Sequence, residues 1–131
     1  MNGEVDVLKD KEAMATVGVK HLDAARKFYG DTLGLPENPS KEAGALVFKS
    51  GHSTLLVYES QYAGTNQATA ATWVVGGELD AIVQALRTKG VRFEHYDLPD
   101  TRREGDIHVS GATRVAWCKD PDGNILSFVN G

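Results

Sequence analysis

"AWCKDPDGNILSFV" (residues 116–129) decides how the rest of the chain is read. Its middle, DPDGN, fits a type I turn closed by a glycine bulge, with Pro121 at the second turn position and Gly123 where φ is positive. That geometry pairs Asp120 with Asn124. Counting outward pairs Cys118 with Leu126, Trp117 with Ser127 and Ala116 with Phe128. Paired residues share a sheet face. Cys118, Leu126, Ala116 and Phe128 form an apolar set suited to packing under a helix. Trp117, Ser127, Ile125 and Val129 fall on the other face, and a slip of one residue would exchange the two sets.

Working back from the hairpin, a strand-and-helix unit is written twice. "MATVGVKHLDAARKFYGDTLGL" (residues 14–35) and "ATWVVGGELDAIVQALRTKGV" (residues 71–91) each run from an apolar strand into an amphipathic helix. Leu22-Asp23-Ala24 matches Leu79-Asp80-Ala81, and each helix ends near a glycine, Gly34 and Gly90, as a left-handed cap requires. Leu22, Ala25, Tyr29 and Leu33 recur at helical spacing, as do Leu79, Ile82, Val83 and Leu86. Strand-like runs follow each helix: residues 45–50 and 53–60 in the first half, with residues 36–44 as loop or edge strand, and residues 91–97, 112–119 and 124–129 in the second. The expected class is α+β: two βαβββ modules forming a curved, partly closed mixed sheet around a cleft, helices outside. Residues 1–11 are a tail, 12–60 the first module, 61–69 a polar linker and 70–131 the second module. Residues 98–111 lack periodicity and read as a long loop over the cleft.

The totals agree with one intracellular domain. The chain has 131 residues, a formal charge of −4 and one cysteine. An acidic balance gives no footprint for nucleic acid. A lone Cys118 makes no internal disulfide, which fits a reducing cytoplasm. The first residues are charged, without the apolar core of a signal peptide, and no stretch has the length of a membrane span.

"HLDAARKFYGDTLGL" (residues 21–35) followed far downstream by residues 116–129 resembles the vicinal oxygen chelate superfamily, the group of glyoxalase I, extradiol dioxygenases and bleomycin-resistance proteins. The resemblance covers roughly residues 11–131. In metal-using members, ligands stand on the first strand of each module, the fourth strand of the first module and the last strand. Carried over, these positions fall on Met14, Ala71, Leu56 and Ser127. None is a histidine or carboxylate, and a divalent metal needs about three or four N, O or S donors. The resemblance therefore implies the metal-free branch: a cleft that binds a small molecule without a cofactor, in a homodimer whose two copies build the grooves together.

By strand alternation Met14, Thr16, Leu56 and Tyr58 face the cleft, with Val17, Val19, Leu55 and Val57 toward the helix. Ala71 at a cleft-facing position brings Trp73 with it, and the hairpin brings Trp117. Two indoles on one wall predict a clamp for a planar, partly aromatic ligand, completed by Tyr58, Ser127, Met14 and Leu56. The bland alternative is that both indoles fill the space between modules. His21 and His52 read as surface residues, Cys118 as a small buried hydrophobe. His108, near the cleft mouth, and Tyr58 are the candidate acid–base groups for an enzymatic alternative: a lyase, isomerase or dioxygenase-like activity, metal-free or with a displaced metal on His95, His108 and Glu59. Arg102 or Arg103 would meet an anionic ligand if the long loop folds over the cleft. A third reading is a subunit whose dimer surface matters more than its cleft.

Overall fold

The computed structural model describes residues 8–40 and 43–131. Residues 1–7 of the expected tail and residues 41 and 42 of the loop after the first helix lie outside the described residues. In the first half, β1 (Ala15–Val19) runs parallel to β4 (Ser53–Glu59), which pairs antiparallel with β3 (Ala45–Ser50). The two-residue β2 (Glu37–Asn38) completes this sheet beside β3. In the second half, β5 (Thr69–Val74) lies parallel to β10 (Ile125–Val129), and β10 pairs antiparallel with β9 (Thr113–Lys119). Beyond β9 come β8 (Ile107–Ser110) and β7 (Arg102–Glu104), while β6 (Phe93–Glu94) takes the other half of the same β9 edge. The fold is α+β with two mixed sheets, as the sequence implies.

Alternation explains which face is buried. Val17, Val19, Leu55, Val57, Leu46 and Phe48 point one way and are almost fully buried. Each such side chain contributes roughly 1.5–3 kcal/mol on leaving water. Against them pack Ala25 and Tyr29, and in the second half Leu79, Val83 and Leu86 from α2 (Leu79–Thr88). Ile82 is half-buried rather than central. The first helix is not uniform: one α-turn, α1 (Leu22–Ala25), widens into a π-helical segment, Arg26–Thr32, where the Leu33 amide reaches back five residues to the Phe28 carbonyl at 2.9 Å. Periodicity at three and four residues does not announce that widening.

The hairpin has the register read from its turn: Cys118 opposite Leu126, Trp117 opposite Ser127, Ala116 opposite Phe128. Gly123 stands at φ 94°, its amide donating to the Asp120 carbonyl at 3.0 Å, and the Asp120 amide donates to the Asn124 carbonyl at 2.9 Å. The turn also fastens the halves together, where β1 and β5 lie against each other. Asn124 Nδ2 donates to the Gly18 carbonyl (2.7 Å), the Lys20 amide to Asp122 Oδ2 (3.0 Å), and Tyr29 Oη to Asp120 Oδ2 (2.8 Å). Gly64 passes so close that a Cβ there would stand 1.8 Å from the Asp122 carbonyl oxygen.

Two local expectations are corrected. The stretch 98–111 is not a lid without structure: it folds into the β7–β8 hairpin that extends the sheet. Its exposed Arg-Arg-Glu strand carries no hydrophobic alternation, so nothing in the sequence marks it. The second correction concerns β5. A bulge between Thr69 and Ala71 shifts its register on β10, so Ala71 pairs with Leu126 and Trp73 with Phe128. One extra residue reverses the faces of everything after it. Ala71 and Trp73 therefore belong to the helix side, not the cleft. No helix among the described residues is long and apolar enough to cross a membrane.

Candidate functional site

The sheet face opposite the helices is where the candidate residues gather. In the first half, pairing in β1 and β4 sets Thr16 beside Leu56 and Gly18 beside Tyr58. Met14, just before β1, is 46 % exposed and Tyr58 41 %. Gly18 leaves room for the Tyr58 ring: a Cβ added there would meet Tyr58 Cζ at 3.6 Å. In the second half, the same face carries Thr69, Thr72, Trp117 and Ser127. Thr72 Oγ1 and Ser127 Oγ share a 2.7 Å hydrogen bond, and Trp117 Nε1 donates to Thr69 Oγ1 at 3.3 Å. A cavity of about 370 Å³ spans the seam, bordered by Thr16, Tyr58 and Tyr62 on one side and Thr69, Ala70 and Asn124 on the other. That volume is within the range of small-molecule sites.

The structure separates the two indoles. Trp117 stays on this face; Trp73 stacks on Phe128 on the helix side, with centroids 5.6 Å apart and planes 21° apart, and its Nε1 donates to Ser50 Oγ at 2.9 Å. They do not form one wall. On β5 the residue opposite Ser127 is Thr72, one past the Ala71 to which the resemblance carries a ligand position. The donor set is then a thioether (Met14), an alkyl group (Leu56) and two neutral hydroxyls already bonded to each other (Thr72 and Ser127). It does not fit a divalent metal of the kind used by the metalloenzymes the sequence resembles.

His108 is not at a cleft mouth. It is 1 % exposed, held in β8 opposite Val115, with Trp117 edge-on at 4.9 Å and Tyr96 at 6.1 Å between ring centroids. The β7–β8 hairpin folds it inward. The Tyr96 amide donates to His108 Nε2 at 2.9 Å, so that nitrogen carries no proton and the neutral ring holds it on Nδ1. Among the described residues Nδ1 makes no hydrogen bond of ordinary geometry, and Tyr96 Oη is likewise buried without a partner. Burial lowers the His108 pKa; the Val115 backbone works against that, and the charges of His95 and Arg103 work with it. A hollow of about 300 Å³ beside it is bordered by His95, Tyr96, Thr101 and Arg103.

The other ionisable candidates are engaged locally. His95 Nε2 donates to Asp106 Oδ1 at 2.7 Å and its Nδ1 accepts from Arg103 at 2.7 Å. Hydrogen bonds from His95 and Arg87 hold the Asp106 carboxyl below the usual carboxylate range. Sequence reasoning missed this Arg87–Asp106–His95–Arg103 chain, since Arg103 and Asp106 belong to the unforeseen hairpin that brings them to Arg87 on α2 and to His95 after β6. Arg102 pairs with Glu104 at 2.7 Å. His95 and His108 stand 6.3 Å apart by ring centroid, and Glu59 is on β4 opposite Val19, so the displaced metal set is not brought together. Among the described residues no three His, Cys, Asp or Glu side chains form a metal-binding group. His21 and His52 are exposed. Cys118 is buried under the helix side, and burial, with Asp120 and Glu94 adding to it, pushes its thiol up to about 12, which suits a core residue and not a nucleophile.

This architecture has known counterparts. An integron cassette protein from the mobile metagenome of Halifax Harbour sewage outfall superposes with a TM-score of 0.67 at 20% identity, covering 88% of this chain and 94% of its own. Lactoylglutathione lyase from Agrobacterium tumefaciens gives 0.67 at 19%, and fosfomycin resistance protein FosX from Listeria monocytogenes 0.69 at 16%, each covering 92% of both chains. At such identities the likeness is one of fold. A comparison with curated proteins found no match. The family model of the Glyoxalase/Bleomycin resistance protein/Dioxygenase superfamily matches residues 13–128, nearly the whole chain. On that match, and on the paired sheets that carry it, the chain belongs to the glyoxalase/bleomycin resistance protein/dioxygenase superfamily.

Proposed function

We propose that this protein binds a small molecule without a metal, on the helix-free face of its sheets, as a cytoplasmic homodimer of the bleomycin-resistance type. The observation that carries the reading is the donor set on that face: Met14, Leu56, Thr72 and Ser127 offer nothing that a divalent cation of the zinc or iron type holds well. In place of metal chemistry the face offers a cavity of about 370 Å³ bordered by the Tyr58 hydroxyl and Thr69, with the Trp117 ring beside it, its Nε1 donating to Thr69 Oγ1. A flat, partly aromatic ligand with hydrogen-bonding edges suits those groups. With Trp73 on the other side of the sheet, Trp117 does the stacking alone. Its removal weakens binding by about three- to tenfold.

The test is a thermal-shift and titration screen of aromatic metabolites and antibiotics against the wild type, Trp117→Ala and Tyr58→Ala, with elemental analysis of the purified protein. Hits that weaken in both variants, on a metal-free protein, support the reading. Stoichiometric zinc, nickel, manganese or iron, or strong stabilisation by one of them, overturns it.

One observation favours a second reading, an enzyme with His108 as acid–base group: a neutral, buried imidazole beside a hollow of about 300 Å³. The hits that bind are the substrates to assay. Turnover abolished by His108→Gln, with binding intact, selects that reading.

A further inference from the structure

A second hollow lies on the opposite, helix-facing side of the sheet. We propose that it is a separate binding site for a single neutral aromatic ring carrying a hydrogen-bond acceptor. Its walls come from both halves of the chain: Leu33 and Leu35 after the π-helical segment, Ile82 and Leu86 from α2, Trp73 from β5 and Phe128 from β10. The space is about 170 Å³. A cavity of about 150 Å³ with Leu, Ile and Phe walls stays dry and accepts benzene. The present one has room for that ring and a small substituent. The stacked Trp73 and Phe128 rings make one aromatic wall, while Leu33, Leu35, Trp73 and Ile82 are only half-buried and leave a way in.

The chemistry of the lining narrows the ligand. Among the described residues no ionisable group borders the hollow, so a charged ligand would lose its hydration without a partner. One polar feature is present: Ser50 Oγ, which accepts from Trp73 Nε1 at 2.9 Å. A hydroxyl that accepts still has its own proton to give. A ring bearing an acceptor such as a hydroxyl or carbonyl oxygen meets that proton with its body against Trp73. Phenol has this pattern, benzene has the shape alone, and benzoate has the shape with a charge.

The full-length protein is titrated with these three probes while the indole N–H resonances of Trp73 and Trp117 are followed by ¹H–¹⁵N spectroscopy. Phenol and benzene are expected to move the Trp73 resonance and to raise the melting temperature, leaving Trp117 in place; benzoate moves neither. Ser50→Ala weakens phenol by about three- to tenfold and leaves benzene unchanged. Ile82→Trp fills the hollow from its rim and abolishes both; should it fail to fold, Leu35→Phe narrows the same space. A still Trp73 resonance up to the solubility limit of phenol, equal binding of benzoate, or binding indifferent to the filling variants overturns the proposal. So does a dimer, seen by sedimentation, in which the hollow takes up no ring because a second copy occupies it. A shift at Trp117 alone assigns the probe to the helix-free face, so the two sites succeed or fail separately.

Discussion

Asp120 shows how much one side chain can organise. Its Oδ1 accepts from the amides of Asp122 and Asn124, its Oδ2 from Tyr29 Oη and Asn124 Nδ2, and the residue is buried. Burial, with the Asp120 carboxylate adding to it, raises the Tyr29 pKa far above the ordinary phenol, so the hydroxyl remains a donor. Tyr29→Phe removes one charge-assisted bond and is expected to destabilise the fold by about 1.5–3 kcal/mol, read from urea midpoints. An unchanged midpoint would mean that the bond contributes nothing. His108 sets a pH dependence of known sign. Its folded pKa is below the ordinary value, so the unfolded chain binds more protons as pH falls below about 6.5. Stability from this group is complete above that point and drains away toward acid; Asp106, held low, loses its contribution only in the more acidic carboxylate range. Comparing denaturation at about pH 7 and about pH 5.5, His108→Gln should flatten the slope. A slope equal to wild type assigns the effect elsewhere. At this scale the sequence spoke clearly where a turn fixed the count, as for Ser127 and Trp117. It misplaced Trp73, because the cleft-facing position carried over by resemblance falls on Ala71, one residue short of Thr72, which stands opposite Ser127.

Among the elements, the first helix departs furthest from its pattern. The spacing of Ala25 and Tyr29 predicts a shared buried face, and both are buried, but Ala25 closes the α-turn while Tyr29 is carried there by the π-helical Arg26–Thr32. Widened turns of this kind are uncommon and often adjoin functional positions. Here the segment delivers Tyr29 to Asp120 and ends at Leu33, on the rim of the helix-side hollow. Gly30 lies inside it without a positive φ, and an added Cβ would meet Phe48 Cε1 at an ordinary 3.7 Å. Nothing local requires glycine. Gly30→Ala is therefore expected to stabilise by about 0.5–1 kcal/mol, through a less flexible unfolded chain. Destabilisation of similar size would show that the widened turn depends on glycine. The other element the sequence hid, β7–β8, was illegible for a different reason. Its hydrophobic half is three residues, Ile107–Val109, too short to show alternation, and its partner strand is wholly exposed.

For the molecule as a whole, duplication was the legible feature: two strand–helix units, two sheets, and a signature turn at the far end. What duplication does not show is how the helix-free faces are covered. Met14 and Tyr58 stand open on the first sheet, and Val74, paired with Val129 on the second, is 72 % exposed. Apolar side chains on the same face of both sheets form the kind of surface a second copy covers. The proposed homodimer thus makes one demand on the chain alone. A specific dimer would bury about 800 Å² per partner and register as such in sedimentation at micromolar concentration. Val74→Glu places a charge in that contact and, being so exposed, should leave the melting temperature of the isolated fold within about a degree or two of wild type. The expected outcome is a monomer that keeps its fold and loses affinity for ligands of the helix-free face, because in the proposed dimer each groove takes a wall from its partner. A monomeric variant that binds as tightly as wild type would mean that the cavity between Tyr58 and Thr69 is complete within one chain, and the dimer would then have to be explained by something other than the site.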